Sequence, residues 1–330
     1  MNRRRALITS AAVASTGLAL PFAASAQAAF PTKPVRITTP FPAGAGPEGV
    51  LRMLAEKLQR KWGQPVIIEN KPGANGFIAI DAWKRQSAGT VVHELMHLDN
   101  VHLAAYPHLF KKLPYDPVAD FETIAPLFRA YFFFAVPPGS KYARVADIVA
   151  DARANPGKLN YGSWSVGNPV HLGSALLEAM TNIEMQHVIY KETSMLYTGV
   201  ANGELNWALG SAATAGPLQR AGRIKFIAVT APRRLAAYPD IPTAVESGAP
   251  AGYEVTGWTL LAAPKGTPRA LADRLKADVD AALAEADVQQ RFTTFGYEPF
   301  VATRDQFTAF VAAESAKYAD VVKRAKASLD

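Results

Sequence analysis

From Val35 onward the chain alternates short apolar runs with amphipathic runs of helical period, and this rhythm restricts the fold more than any single motif. Val35 and Ile37 alternate with Arg36 and Thr38, the pattern of a half-buried strand. The following segment places Val50, Leu51, Leu54 and Leu58 on one helical face and is stopped by Gly63. Pro65 to Glu69 reads as a second strand, Asn70 to Gly76 as turn chemistry, Phe77 to Trp83 as a helix and Thr90 to Leu98 as a third strand. A helix with the Leu103–Tyr106–Phe110 face follows. Strands separated by helices at this spacing imply crossover units on a parallel sheet. The run from Ile124 to Val136, with Tyr131, Phe132, Phe133 and Phe134 in succession, is too aromatic for a surface element. It is expected to be a buried strand entering a second lobe.

There the rhythm restarts. Helices are predicted over Val145–Ala154, Val170–Met180, Ser194–Ala201 and Ala213–Ala221. Strands are predicted over Lys158–Ser163, Met185–Tyr190, Leu205–Leu209 and Ile224–Thr230. Pro239 and Pro242 mark an exit loop, Tyr253 to Ala263 a strand, and two long helices close the chain. The first of these carries Leu271, Leu275, Val279 and Leu283 as one stripe; the second begins at Thr303-Arg304-Asp305-Gln306, a capping-box pattern. With 330 residues, two lobes are the natural division.

Two strand–loop–helix turns stand out for chemistry. In Val35–Val50 the strand breaks at Pro40 and Pro42, loosens through Gly44 and Gly46, and enters a helix near Pro47. Such a turn aims free N–H groups and the positive helix end at one place, a backbone anion site. An ordinary Gly/Pro turn fits the same residues, and neither dinucleotide nor P-loop spacing is present. In Asn160–His171 the same architecture recurs, with the hydroxyls of Ser163 and Ser165, amides around Gly167, and Asn168 ahead of a helix. Ser163 stands where a nucleophile elbow needs its first glycine. Trp164 suits either core packing or a flat ligand, and His171 falls inside the helix as a structural hydrogen-bonder.

The formal H-E-x-x-H run His93-Glu94-Leu95-Met96-His97 is the competing signal. A zinc site needs both imidazoles on one helix face. Here the run lies where a strand is expected, and strand residues four apart are about 13 Å from each other. A periplasmic zinc hydrolase on His93, Glu94 and His97 is therefore the alternative reading, and no cofactor or metal is expected.

Composition sets the partners. Arg3, Arg4 and Arg5 precede an apolar run to Phe22, and Ala24-Ser25-Ala26 suits a signal peptidase, so residues 1–26 are expected to be an export leader, Sec or Tat. Its polar Thr9, Ser10, Ser15 and Thr16 argue against a membrane span, and no membrane insertion is expected once it is removed. Losing three arginines and no acids takes the formal charge from +7 to +4. That mild balance suits small anions and gives no basic stripe for nucleic acid. The absence of cysteine excludes disulfides, thiolate metal sites and cysteine nucleophiles.

Across residues 30–330 the chain resembles the periplasmic substrate-binding receptors of tripartite tricarboxylate transporters, the Bug family. The resemblance rests on F-P-T-K-P-V-R-I-T-T-P-F-P-A-G-A-G from Phe30, G-Q-P-V-I-I-E-N-K-P-G-A-N-G from Gly63, and N-P-G-K-L-N-Y-G-S from Asn155. R-A-G-R-I-K-F-I-A-V-T from Arg220, Y-P-D-I-P-T from Tyr238 and W-T-L-L-A-A-P-K-G-T-P from Trp258 extend it. The resemblance implies an α/β, two-lobed periplasmic binding protein, each lobe a mostly parallel sheet flanked by helices and joined by a hinge. It places lobe 1 at 30–128 plus 236–330 and lobe 2 at 129–235. It implies a small organic carboxylate as ligand and membrane subunits of a tripartite tricarboxylate transporter as partners; a ligand-presenting signalling receptor would use the same fold. Carried onto this chain, the contacts are Phe41, Ala43, Gly44 and Ala45 facing Ser163, Trp164, Ser165, Gly167 and Asn168, with Asn100 and Ser211 beside them. The chain departs from the family where T-D becomes Pro47-Glu48, where F-D-N becomes Leu209-Gly210-Ser211, and throughout Thr90–His102. The second change removes an acidic contact that some members use for an amino group.

Overall fold

A computed structural model describes residues 30–89, 92–325 and 328–329; the expected leader lies outside them. In chain order the strands are β1 (Val35–Thr39), β2 (Val66–Asn70), β3 (Glu94–Asp99), β4 (Phe121–Tyr131) and β5 (Phe133–Val136). They continue as β6 (Asn160–Ser163), β7 (Gln186–Ile189), β8 (Trp207–Gly210), β9 (Lys225–Val229), β10 (Thr256–Pro264) and β11 (Tyr297–Pro299). Two sheets result, ordered β11-β4-β10-β3-β1-β2 and β7-β6-β8-β5-β9. The α/β, two-lobed expectation holds.

Strand direction differs from expectation. β1 is parallel to β2 and β3, and β6 to β7 and β8, but β10 is antiparallel to β3 and β4, β11 to β4, and β5 to β8 and β9. Each sheet is mixed. The reason is the passage between lobes: β4 leads out and β10 leads back, so the connecting strands oppose the βα units they join.

The aromatic run is two strands, not one. β4 ends at Tyr131, β5 begins at Phe133, and the sheets change over at Phe132. Thr230 ties this point to the returning chain. Its Oγ1 accepts the Phe132 N–H (3.0 Å) and donates to Val255 O (2.7 Å), while its N–H donates to Phe132 O (2.8 Å). Residues 243–249, which the sequence reading assigns to lobe 1, still bond to the second sheet: Ala244 N–H donates to Val229 O, and Ser247 Oγ accepts the Val145 N–H.

Local signals place the elements well. The helix Gly46–Trp62 has Pro47 in its first turn and ends on Gly63 at φ 65°, whose N–H reaches Gln59 O. The last helix, Arg304–Ala325, starts with the reciprocal bonds of a capping box, Gln306 N–H to Thr303 Oγ1 and Thr303 N–H to Gln306 Oε1. It lies against both the helix Pro169–Thr181 of the second lobe and the segment Val101–Ala105 of the first. Four apolar clusters fill the two faces of each sheet. No helix among the described residues is long and apolar enough to cross a membrane.

Candidate functional site

Three loops follow strand ends beside the lobe boundary: Pro40–Ala45 after β1, Trp164–Asn168 after β6, and Ser211–Ala215 after β8. The approach is close. A Cβ on Gly46 would lie 3.5 Å from Ala213, one on Gly296 3.1 Å from Ala212, and one on Gly167 2.9 Å from Leu109. Gly167 also needs its φ of 81°, so only glycine suits it on both counts.

On the first lobe, Glu48 shapes the loop. It is buried, and its Oε2 accepts the Gly44 N–H (3.0 Å) while Oε1 pairs with Arg52 Nε (2.5 Å). Asn70 Nδ2 donates to Phe41 O at 2.9 Å and completes the brace. The Phe41 N–H donates to Thr39 Oγ1 and the Ala45 N–H to Pro42 O. Of the expected contact residues here, Phe41, Gly44 and Ala45 thus spend their amides inside the loop. Those of Ala43 and Gly46 have no acceptor among the described residues. Glu48 thus supplies a carboxylate to the loop from within.

On the second lobe, Asn168 is the organiser. Its Oδ1 accepts the N–H groups of Val170 and His171, capping the helix Pro169–Thr181. Its Nδ2 donates to Ser163 Oγ (3.1 Å) and Ser165 O (2.5 Å). Ser163 is fully buried; its hydroxyl donates to Ser165 O and lies 2.7 Å from His187 Nε2. The Gly167 N–H donates to His171 Nδ1, so His171 is structural, as its position in the helix suggests. Trp164 packs against both apolar clusters of its lobe. These bonds hold the loop so that the amides of Trp164, Ser165 and Val166, three in a row, have no acceptor among the described residues. Asn168→Ala is expected to cost about 2 kcal/mol of stability, a lost cap with a lost loop brace. Urea unfolding measures it, and a change below about 0.5 kcal/mol would remove Asn168 from this role.

Ser211 Oγ accepts the Thr214 N–H and closes the third turn. Asn100 is buried, with Nδ2 donating to Tyr318 Oη (2.8 Å) and Oδ1 unpartnered. It links β3 to the C-terminal helix and sits apart from the three loops in its bonding.

The residue that the contact prediction omits is His97. It lies in β3, which His93 directly precedes, so the two imidazoles do not share the helix face that the zinc alternative needs, and His93 Nε2 accepts the Thr32 N–H. Among the described residues no three His, Cys, Asp or Glu side chains are grouped to hold a metal. His97 is fully buried beside the Phe41 ring (5.2 Å between centroids), its Nδ1 is 3.0 Å from Thr39 Oγ1, and its Nε2 has no partner. Burial pushes its pKa down to about 3. The sequence signal was the formal metal motif itself, whose second imidazole falls on the expected strand.

A separate cavity of about 700 Å³ opens on the flank of the second lobe, where Tyr161, His171, Glu178 and His187 line it. No residue of the three loops lines it, so it is distinct from the inter-lobe site.

With this geometry in place, the comparisons decide the family. The model of the tripartite tricarboxylate transporter family receptor matches residues 50–326. The chain belongs to that receptor family. BugT of Bordetella pertussis is 27% identical over 330 residues, covering 100% of both chains. Among solved structures, the receptor is similar to Rpa4515 of R. palustris with adipate, at 28% identity and a TM-score of 0.80, with 91% of this chain and 99% of that one covered. It is similar also to MatC of Rhodopseudomonas palustris with bound malate, at 27% identity and a TM-score of 0.76, covering 89% and 100%.

Proposed function

We propose that this receptor is exported to the periplasm by its first 26 residues, closes its two lobes on a small carboxylate, and delivers it to the membrane subunits of a tripartite tricarboxylate-type transporter. The observation that carries the reading is the run of acceptor-free amides at Trp164, Ser165 and Val166 on one lobe, matched by those of Ala43 and Gly46 on the other. Five N–H donors at the meeting of two lobes suit an oxyanion, because hydrogen bonds to a charged acceptor are about twice as strong as neutral ones. The adipate and malate in the two similar structures support the same ligand class. Ser163, Asn168 and Glu48 then act by holding the loops in shape, and Phe41 and Trp164 wall the site.

Mass spectrometry of small molecules released from the purified mature protein tests this, followed by calorimetry with the acids found. Binding of a carboxylate in the micromolar range or tighter, weakened at least tenfold when the acid is converted to its amide, is the expected result. Equal affinity for acid and amide would remove the oxyanion cradle.

A further inference from the structure

We infer that His97, Thr259 and Asp99 form a subsite on the first-lobe floor that takes the hydroxyl group of a hydroxycarboxylate. The inference rests on the carboxylate-receptor reading and assigns the part of the ligand beyond its carboxylate.

Strand period places the three residues together. Val35, Ile37 and Leu95 belong to the core under the helix Gly46–Trp62, so Thr39, His97 and Asp99 project from the same face. Leu261 and Ala263 of β10 belong to that core too, which puts Thr259 on this face. The register pairs Thr259 with Asp99 and Leu261 with His97, making Thr259 and His97 diagonal neighbours. The floor lies at the strand ends, next to Phe41, with Gly46 and Ala213 bordering the same core.

Two polar atoms on this floor are orphaned. His97 Nε2 and Thr259 Oγ1 are buried and have no hydrogen-bond partner, on residues 0% and 3% exposed. A buried polar atom left unpaired costs stability, so a polar group placed against it gains a hydrogen bond that nothing in the protein competes for. The tautomer of His97 follows from its neighbour. Thr39 Oγ1 accepts the Phe41 N–H and lies 3.0 Å from His97 Nδ1, and we assign its proton as donated to that nitrogen. In that tautomer His97 Nε2 carries the hydrogen and offers it outward. Asp99 stands one strand pair away, with Oδ1 held by His102 Nδ1 at 2.5 Å.

The set selects among ligand groups. An ammonium has donors only and meets the His97 N–H with nothing to accept it. A second carboxylate accepts from His97 but stands beside the Asp99 carboxylate. An alkyl chain leaves both orphans unpaired. A hydroxyl accepts from His97 Nε2 and from the Thr259 hydroxyl and donates its one proton to Asp99, and it satisfies all three. The acidic group missing at Ser211 in the second lobe is in this way replaced by one on the first, with a different preference.

Matched acids differing by one hydroxyl test the subsite: propionate and lactate, succinate and malate, glutarate and 2-hydroxyglutarate. Calorimetry on the whole mature protein is expected to show the hydroxy acid of at least one pair binding ten- to hundredfold tighter. That ratio is expected to fall towards one in Thr259→Val, a near-isosteric change, and in His97→Phe. Plain acids that bind as tightly as their hydroxy partners sink the subsite and leave the receptor reading standing. A preference that survives both substitutions also sinks it. No binding by any of the six acids sinks the subsite, and the receptor reading then stands or falls on the acids found by mass spectrometry.

Discussion

Replacing Gly46 by valine is expected to weaken carboxylate binding ten- to hundredfold. A Cβ at this position would sit 2.4 Å from the Tyr297 hydroxyl and 3.5 Å from Ala213 of the other lobe. Tyr297 cannot swing aside freely: it is buried and stacked on Phe128 at 4.4 Å with the rings 6° from parallel. The Tyr297 clash lies within the first lobe and costs stability. At Ala213 a Cβ alone makes ordinary contact, and the two further methyls of valine crowd it only between closed lobes. Overpacking there costs about 1–3 kcal/mol, which is up to roughly hundredfold in affinity. Gly44→Ala is the control. Gly44 has open space around it, so a methyl there brings only the strain of a φ of 83°, about 1 kcal/mol. Calorimetry on both variants separates obstruction between lobes from loop strain. Wild-type affinity in the valine variant would mean that the lobes close elsewhere.

The difference between these two glycines marks the limit of the sequence. Both stand in the loop that the Gly/Pro pattern singles out, and their value as backbone spacers is readable from composition alone. Which one faces the opposite lobe depends on Ala213, some 170 residues away, and no local pattern encodes that. Local devices were legible: the Gly63 stop, the Thr303 capping box, the strand at Glu94–Asp99 and the Asn168 cap. The amides of Gly44 and Gly167, among the expected contact residues, are taken by Glu48 and His171, which reach back four residues to them. The mixed sheets were missed for a similar reason. Helical and strand periods report burial, and direction is set by how the chain passes Phe132 and Thr230 between lobes. The short helix Ala286–Phe295 and β11 escaped because a three-residue strand carries almost no period.

Lowering the pH from 7 to 5 is expected to destabilise the receptor by about 4 kcal/mol through two imidazoles. Burial holds His97 and His171 far below the usual histidine value, each at about 3. In the unfolded chain both titrate near 6.5. Above that value neither state binds a proton and nothing is lost. As pH falls below it, the unfolded chain takes up protons that the native protein refuses, and stability declines by about 1.4 kcal/mol per pH unit for each group. The decline continues until the folded value is reached near pH 3. His187, pushed down to about 4 by burial but half-buried, adds less because solvent screens it. Glu94, Glu178 and Glu254, held above the usual carboxylate range by burial, act in the opposite sense near pH 5 and offset part of the loss. Carboxylates held below their usual range, such as Glu246 under its bonds from Thr243 and Arg234, lose their contribution only at lower pH. The window between pH 6.5 and 5 therefore belongs to the histidines. Melting temperatures at half-unit steps check it, with His171→Asn expected to flatten the slope by about half while keeping an acceptor for the Gly167 N–H. A melting temperature unchanged from pH 7 to pH 5 would show that these imidazoles accept protons in place, and that the loop between Ser163 and Asn168 is looser than its hydrogen bonds require.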